Sequence, residues 1–307
     1  MEGRVVKSTG SWYLVEVGEK LINARLRGKF KKSELKLTNP IAVGDYVSLV
    51  LEKDQETAII ADILPRENYI IRKSTRKTNF SHILASNIDQ AMLVITLLKP
   101  RTSLGFIDRF LVSTESFRIP ATLVVNKADL IKKEKDKDFL KDIKEIYEPL
   151  GYPVITISAL QEEGIPDKIL PLLENKTTLM AGHSGVGKST LLNLLIPEAQ
   201  QHTREISNFT SKGVHTTTFA EMFTLPNGGS IIDTPGIKEF GILDIEEEEL
   251  SHYFVEMRKY LGQCKYNNCK HVNEPGCKVV EMVEKGGINP YRYDSYLKIL
   301  MEEDTYR

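Results

Sequence analysis

The pattern of apolar and polar positions divides the chain into stretches in which apolar residues recur with different spacing. Up to about residue 65, short apolar-rich runs are separated by turn-forming residues such as Gly18 and the pair Gly44-Asp45. These runs cover residues 11–17, 22–28, 43–51 and 58–64. Short strands at this spacing, without a helical period, predict a small β-barrel. An oligonucleotide-binding (OB) barrel is one candidate, but the pattern alone does not separate it from other small barrels.

From about residue 91 the pattern changes to apolar strands that alternate with amphipathic helices. The apolar runs are 92–98, 121–125, 154–157 and 178–181, and the helix-length segments between them are 105–117, 134–149 and 163–174. This alternation predicts a mostly parallel α/β sheet. Two further strand-like runs follow at 217–225 and 229–233, and a Tyr-rich helix is expected around 289–302.

A length of 307 residues accommodates several domains, since one domain takes roughly 100–200 residues. We therefore predict a multidomain protein: an OB-like β-barrel over 1–70, an α/β domain over 71–242, and a helical C-terminal domain over 243–307. The polar and basic stretch 71–90 is predicted to be a linker at the start of the second domain.

A glycine-rich loop lies between the strand ending near Ala181 and a helix that begins near Ser189. It has the sequence Gly182-His183-Ser184-Gly185-Val186-Gly187-Lys188-Ser189, followed by Thr190. Such a loop directs backbone N–H groups at an anion, and the helix N-terminus adds its positive end. Lys188 supplies a charge to the outer phosphates and Ser189 a hydroxyl to Mg²⁺. The strand and helix on either side are the context that a phosphate-binding loop requires.

A second motif, Asn126-Lys127-Ala128-Asp129, follows the strand 121–125. The Asp129 carboxylate can accept two hydrogens from guanine, whereas adenine would leave the charge unpaired. Asn126 is expected to tie this loop to the phosphate loop, and the Lys127 stem to lie over the base. The next strand leads into Ser158-Ala159-Leu160, typical of a loop beside the base. These motifs together predict GTP rather than ATP.

The element Asp233-Thr234-Pro235-Gly236 completes the set. Asp233 is expected to hold the metal through water, while Gly236 turns its N–H toward the γ-phosphate. A magnesium-binding threonine is expected at Thr216 or Thr217, with Thr217 preferred. The base-reading motif here precedes the phosphate loop, the reverse of the usual GTPase order, so the domain is predicted to be circularly permuted.

Position 237 is Ile, not the glutamine that would orient an attacking water. Unaided hydrolysis should therefore be slow, about 10⁻⁴–10⁻² s⁻¹. His215 is the internal candidate for placing the water, and Lys188 and Asp233 complete the predicted catalytic set. The alternative for His215 is a solvated histidine of the switch loop with no catalytic role.

Three cysteines and one histidine lie close together near the C-terminus: Cys264, Cys269, His271 and Cys277. Three thiolates and an imidazole make a closed, structural tetrahedral zinc shell. The alternative is a set of buried free thiols. An odd number of cysteines argues against a disulfide framework and favours a reducing cytoplasm.

Charge is distributed unevenly along the chain: residues 1–77 carry a net charge of +5, although the whole chain has −1. Arg25, Arg27, Lys29 and Lys31 alternate through one predicted strand and would share a face able to follow a phosphate backbone. A solvated strand face is the alternative. Of Trp12 and Tyr13, one is expected in the core and the other free to stack on a base. No apolar run approaches the ~18–20 residues that span a bilayer, so no membrane contact is expected.

The barrel, the permuted order of the nucleotide motifs and the Cys₃His spacing together resemble the RsgA family of ribosome small-subunit-dependent GTPases. The resemblance covers nearly the whole chain. It implies an OB fold at the N-terminus and a cytoplasmic bacterial protein that acts late in small-subunit maturation, with GTP hydrolysis stimulated by that subunit. A histidine of the threonine-rich switch is thought to assist hydrolysis in such proteins, which His215 matches. Val214 departs from the basic residue expected before that histidine.

The sequence thus predicts a GTPase that converts GTP to GDP and phosphate, with the small ribosomal subunit and its rRNA as partners and a monomeric state. One alternative is a GTP-gated RNA-binding module whose hydrolysis is incidental. Another is a permuted GTPase that acts on proteins or membranes and has no salt-sensitive affinity for RNA.

Overall fold

The N-terminal strands close into a barrel. The computed structural model describes residues 1–26, 39–52, 56–73, 81–196, 220–233 and 245–301. Five strands, β1 to β5, are Glu2–Ser8, Tyr13–Val17, Lys20–Leu26, Tyr46–Leu51 and Thr57–Ile63. They run in the order β1-β2-β3-β5-β4, and β4 pairs back to β1. Only the β3–β5 pairing is parallel among these contacts. The prediction of an OB-like barrel is confirmed.

Alternate side chains of these strands fill the barrel. The buried strand residues are Val5, Tyr13, Val15, Ala24, Val47, Leu49, Ala58 and Ile60, and Ile41 from the segment before β4 joins them. This period of two is the reason that the sequence pattern predicted strands here. Tyr13 lies in this core at 1% exposure and Trp12 lies outside it at 43%, so the expected division between the two aromatic residues is confirmed.

The stretch expected to be a linker contains a hairpin. Strands β6 (Tyr69–Lys73) and β7 (Ser81–Ser86) pair antiparallel. Ile70, Ile83 and Ala85 are buried in the main core. The basic residues of the stretch lie between the apolar positions of the two strands, at 72, 73, 76 and 77, so the stretch as a whole was read as a polar linker. That prediction is wrong for residues 71–73, 81–86 and 90, which belong to strands.

The central sheet has six strands: β8 (Gln90–Ile95), β9 (Ala121–Val125), β10 (Val154–Thr156), β11 (Thr177–Ala181), β12 (Glu221–Thr224) and β13 (Ser230–Asp233). Their order is β10-β9-β8-β11-β13-β12, and only β12 is antiparallel to its neighbour β13. Separate clusters of buried side chains cover the sheet's two faces. The α/β prediction is confirmed.

Helices connect these strands at nearly the expected places. They are α1 (Leu104–Ser116), α2 (Glu134–Tyr147), α3 (Leu170–Leu173) and α4 (Lys188–Leu195). The predicted helix over 163–174 is instead a π-helical turn, Ile165–Ile169, followed by the single turn of α3. Pro166 and Pro171 both lie in this segment and lack the N–H that a regular helix needs.

Strand β12 joins the barrel to the central sheet. It pairs with β13 on one side and with β1 on the other, where Lys7 faces Glu221. Arg4 reinforces this junction, because its Nη2 donates to Thr177 Oγ1 at 2.9 Å. The barrel therefore continues the sheet that carries Asp233.

The C-terminal part is a set of short helices packed on α1. It comprises a 3₁₀ turn (Leu250–Tyr253), α5 (Val255–Arg258), α6 (Lys278–Glu284) and α7 (Pro290–Leu300). Arg292 of α7 is fully buried and bonds Asp108 of α1 at 2.6 Å and Glu256 of α5 at 2.7 Å. Within the described ranges, no helix has both the length and the apolar character to cross a membrane.

Candidate functional site

The phosphate loop lies where β11 ends and α4 begins, as its motif requires. Gly182, Gly185 and Gly187 all have positive φ, at 146°, 82° and 98°. A Cβ on Gly182 would lie 2.3 Å from the Val94 carbonyl oxygen, and one on Gly187 would lie 2.3 Å from Asn126 Nδ2. Gly182 and Gly187 are therefore needed both for the backbone conformation and for their close neighbours, and Gly185 for the backbone conformation.

Lys188 folds over the loop that it follows. Its Nζ donates to the carbonyl oxygens of Gly182 at 2.5 Å and His183 at 2.9 Å. Burial lowers the pKa of Lys188, and the charge of Asp233 opposes that shift. A partly buried ammonium above a loop of this kind is suited to an anion such as a phosphate.

Asn126 connects the base-reading motif to the phosphate loop, as expected from the sequence. Its Nδ2 donates to the Val186 carbonyl at 2.9 Å. Its Oδ1 accepts from the backbone N–H of Lys127 at 2.8 Å and of Ala159 at 2.9 Å. One buried side chain thus holds three loops at fixed spacing, although two of them precede the phosphate loop in the chain.

Lys127 and Asp129 occupy the outer part of the same crevice. Lys127 Nζ donates to the carbonyl oxygens of Lys99 and Gly185, both at 2.7 Å. The Asp129 carboxylate accepts a hydrogen bond from Ser158 Oγ at 2.7 Å. Asp129 is only partly exposed, so this bond fixes the direction of the carboxylate at the edge of the crevice.

Asp233 stands at the carboxyl end of β13, beside the strand that leads into the phosphate loop. Burial raises its pKa, Lys188 lowers it, and Glu221 raises it further. Its Oδ1 atom is buried and has no hydrogen-bond partner among the described residues. A buried carboxylate oxygen without a partner could accept a hydrogen bond from a metal-bound water, so the residues present are compatible with magnesium.

The remaining predicted nucleotide residues divide into two groups. Ser184, Ser189 and Thr190 are exposed along the phosphate loop and the first turn of α4. His215, Thr216, Thr217 and Gly236 lie outside the described residues. The roles of all these residues stay predictions.

The four predicted zinc ligands come together in space. Their ligand atoms all lie within 4.8 Å of one another. Cys264 Sγ and Cys277 Sγ are 4.0 Å apart, and each lies 3.5 Å from His271 Nδ1. A tetrahedral site with Zn–S bonds of about 2.3 Å requires S···S separations of about 3.8 Å, so the cluster has the dimensions of a zinc site.

Backbone groups support that cluster. The N–H groups of Lys278 and Val280 point at the sulfurs of Cys264 and Cys277, at 3.3 Å and 3.4 Å. The Glu274 carboxylate accepts three backbone N–H bonds from the ligand-bearing loop. Burial raises the pKa of Cys269 to about 12, so its thiolate needs a nearby cation.

The predicted basic stripe is only partly described. Arg25 lies on β3, half exposed, and bonds Glu52 at 2.6 Å, while Arg27, Lys29 and Lys31 lie outside the described residues. The carboxylate of Glu52 offsets the charge of Arg25. The interpretation of this strand as an RNA-binding face stays a prediction.

The phosphate loop is also supported by a residue outside the predicted motifs. The His183 ring stacks on Phe106 of α1, with centroids 3.6 Å apart and planes at 30°. Burial, followed by the charge of Lys188, lowers the pKa of His183. Phe106 is separated from the loop by more than seventy residues and belongs to no motif, so no sequence signal indicated it.

Comparison with known proteins agrees with this geometry. The model of the RsgA N-terminal domain matches residues 2–59, and that of the RsgA GTPase matches residues 63–243. A small ribosomal subunit biogenesis GTPase RsgA from Cytophaga hutchinsonii is 53% identical, and the alignment covers all of both chains.

Two solved structures share the whole architecture. YjeQ from Thermotoga maritima is 36% identical with a TM-score of 0.78, and the match covers 100% of this chain and 99% of that one. YloQ, described as a circularly permuted GTPase, is 33% identical with a TM-score of 0.74, covering 100% of this chain and 96% of that one. With its family model matched, its relatives aligned end to end and its nucleotide motifs in permuted order, the chain belongs to the RsgA GTPase family.

Proposed function

We propose that this GTPase binds the small ribosomal subunit through its rRNA, acts late in the maturation of that subunit, and hydrolyses GTP to GDP and phosphate when the subunit stimulates it. The observation that carries the proposal is the hydrogen bond from Asn126 to the phosphate loop. It places the proposed guanine-binding motif and the proposed phosphate-binding loop in one crevice. The name of its relatives, small ribosomal subunit biogenesis GTPase, supports the choice of partner. The setting would be the bacterial cytoplasm, with the protein acting as a monomer.

In this proposal the two ends of GTP are held by opposite sides of the crevice. The Asp129 carboxylate accepts hydrogens from the guanine edge, while Ser158 keeps it aligned. The N–H groups of the phosphate loop and the Lys188 ammonium receive the phosphates. To do so Lys188 Nζ exchanges its two carbonyl partners for phosphate oxygens. Preorganised charge of this kind stabilises the transferring phosphoryl group.

Ser189, Asp233 and Thr217 would hold magnesium, which when bound would supply positive charge that offsets the negative charge developing during transfer. No glutamine follows the Asp233 element, so the attacking water must be oriented by another group. We propose His215 for this role. GTP turnover should then be slow until the ribosomal subunit places His215 beside the attacking water.

The Cys₃His cluster is proposed to hold one structural zinc ion. Its four donors leave no open position for a substrate, which supports a role in folding rather than in chemistry. The three units 1–70, 71–242 and 243–307 remain our proposed domains. Separate clusters of buried side chains in the barrel and in the C-terminal helices support that division.

GTP turnover with and without purified small ribosomal subunits, over a range of salt, tests the function. We expect strong stimulation that weakens as salt rises, because contacts to RNA phosphates release counterions. Turnover that is unchanged by subunits at any salt would contradict the proposal. It would favour a GTPase that acts on another target.

The second candidate is a GTP-gated RNA-binding module, favoured by the missing glutamine. A His215→Ala variant separates the two functions. If the variant loses stimulated hydrolysis and no longer leaves the subunit, hydrolysis is part of the function. If it binds and leaves normally without hydrolysis, the second candidate is correct.

A further inference from the structure

Three charged residues form a row across the strands that join the barrel to the GTPase sheet. Lys7 of β1 pairs with Glu221 of β12, and Glu221 pairs in turn with Asp233 of β13. Directly paired residues of antiparallel strands put their side chains on the same face, about 5 Å apart. The row therefore runs from a barrel cation, through one carboxylate, to the carboxylate expected to hold magnesium.

The register of this row is fixed by its neighbours. Met222 pairs with Ile232, and both side chains are buried in the core on the opposite face of the sheet. A slip by one residue would expose them and turn Glu221 away from Asp233. Glu221 is thus held beside Asp233 by the packing of apolar residues and not by its own charge.

Lys7 offsets the charge of Glu221. Its Nζ lies 2.9 Å from Glu221 Oε1, and the two side chains are 26% and 28% exposed. Like charges placed opposite each other on paired strands are unfavourable, so Glu221 and Asp233 repel each other. Among the described contacts of Glu221, Lys7 is the cation that reduces this repulsion.

We propose that Glu221 acts as an outer acidic residue of the magnesium site and that the barrel, through Lys7, sets how strongly its charge attracts the ion. The inference rests on the proposed function, in which Asp233 holds magnesium. When Lys7 contacts Glu221, the negative charge is offset and the ion is held less tightly. When the barrel moves and Lys7 withdraws, the same carboxylate strengthens magnesium binding.

The coupling must act in both directions. If separating Lys7 from Glu221 tightens magnesium binding, then bound magnesium weakens the Lys7–Glu221 contact by the same factor. Loading with magnesium and GTP would thus loosen the barrel junction, and loss of the ion would restore it. The row gives the barrel a physical means to respond to the nucleotide.

A purely mechanical role for Lys7 is the competing explanation, and the junction offers a matched control. Arg4 lies on the same strand and bonds Thr177 across the same junction. Thr177 pairs with Ser230, three residues before Asp233 and so about 10 Å from it along the strand. Arg4→Met removes a barrel cation from the junction without touching the charged row.

The test is the magnesium dependence of equilibrium binding of a fluorescent, non-hydrolysable GTP analogue to the full chain. We expect Lys7→Met to lower the half-saturating magnesium concentration by about fivefold, as Coulomb's law gives for a unit charge about 8 Å from a divalent ion in water. Glu221→Gln should raise it by a similar factor. In the double variant, which removes both charges, the half-saturating magnesium concentration should lie within about twofold of the parent value. The Arg4→Met variant should also lie within about twofold of the parent value.

Equal effects of Lys7→Met and Arg4→Met would overturn the inference, because the pair would then serve only as an anchor. An unchanged midpoint in the conservative Glu221→Gln variant would overturn it as well. Failure of the proposed function looks different: nucleotide binding by the parent would not depend on magnesium, or Asp233→Asn would leave its dependence unaltered.

Discussion

Gly187 shows how a single residue holds two distant motifs together. Its φ of 98° suits glycine, and any Cβ there would meet the Asn126 amide at 2.3 Å. Asn126 must come this close because its Nδ2 donates to the carbonyl of the preceding loop residue, Val186. The absence of a side chain at Gly187 therefore permits the contact that unites base reader and phosphate loop.

Gly187→Ala is expected to abolish tight nucleotide binding, with a loss of at least about 100-fold, or about 2.7 kcal/mol. Both the strained backbone and the displaced Asn126 contribute. Titration with fluorescent GDP measures the effect. Gly151→Ala is the matched control, because Gly151 has a φ of 90° but nothing within 4 Å of its Cβ position. If the two variants bind alike, close packing at Gly187 is not the cause.

The support from α1 can also be tested at one residue. Phe106 stacks on His183 inside the phosphate loop, and Phe106→Leu would keep most of its apolar volume while removing the flat ring. We expect GTP binding about two- to twelvefold weaker, because such ring contacts contribute about 0.5–1.5 kcal/mol. Titration of the fluorescent analogue measures this loss. Unchanged binding would mean that the ring does not order the loop.

At the scale of elements, α1 links the C-terminal helices to the sheet. Arg292 of α7 is enclosed by Asp108 of α1 and Glu256 of α5, and its side chain is 1% exposed. Arg292→Met would leave two carboxylates buried without a counter-charge. A loss of about 3–5 kcal/mol in the free energy of unfolding is expected.

Urea denaturation followed by far-ultraviolet circular dichroism measures this loss in the free energy of unfolding. The control is Lys298→Met on the same helix, whose exposed ion pair with Asp294 should contribute at most about 0.5 kcal/mol. Equal stability of the two variants would contradict the structural role assigned to the buried pair.

The Cys₃His cluster, which we propose to hold zinc, is a second element that can be tested directly. His271→Ala and Cys277→Ser each remove one of the four proposed ligands, so metal content should fall from about one zinc per chain to near zero. Elemental analysis of dialysed protein gives the content. The thermal midpoint should fall with it, since Cys277 also lies in the C-terminal core. Parent protein that is fully folded without bound metal would instead support the alternative of free thiols.

At the scale of the whole molecule, the parts that the sequence predicted are those with local signals. Period-two alternation marked the barrel strands, buried runs marked the parallel sheet, and motif spacing marked the loops around Asn126 and Lys188. Each of these signals lies within about ten residues. Each of these elements can therefore be predicted from a short stretch of sequence.

The parts that were missed depend on contacts between distant residues. The strands of the β6–β7 hairpin were missed because their apolar residues form two short runs separated by a polar and basic stretch, although Ile70, Ile83 and Ala85 pack in the main core. Arg292 bonds Asp108, which is 184 positions away in the sequence, and Lys7 bonds Glu221, which is 214 positions away. A local sequence pattern does not indicate partners at such separations. The junction between barrel and sheet could therefore be found only in the folded structure.

Asp129 and Lys188 are proposed to hold opposite ends of one guanine nucleotide, and a change of the base tests this arrangement. In the proposed arrangement the Asp129 carboxylate would accept hydrogens from guanine, whereas the amide of Asp129→Asn could donate to the oxygen that xanthine carries in place of the amine. Binding of GTP and XTP by parent and variant should be measured side by side. We predict that the preference for GTP over XTP reverses in the variant while Lys188→Met weakens both nucleotides equally. A variant that still prefers GTP as strongly as the parent would contradict the claim.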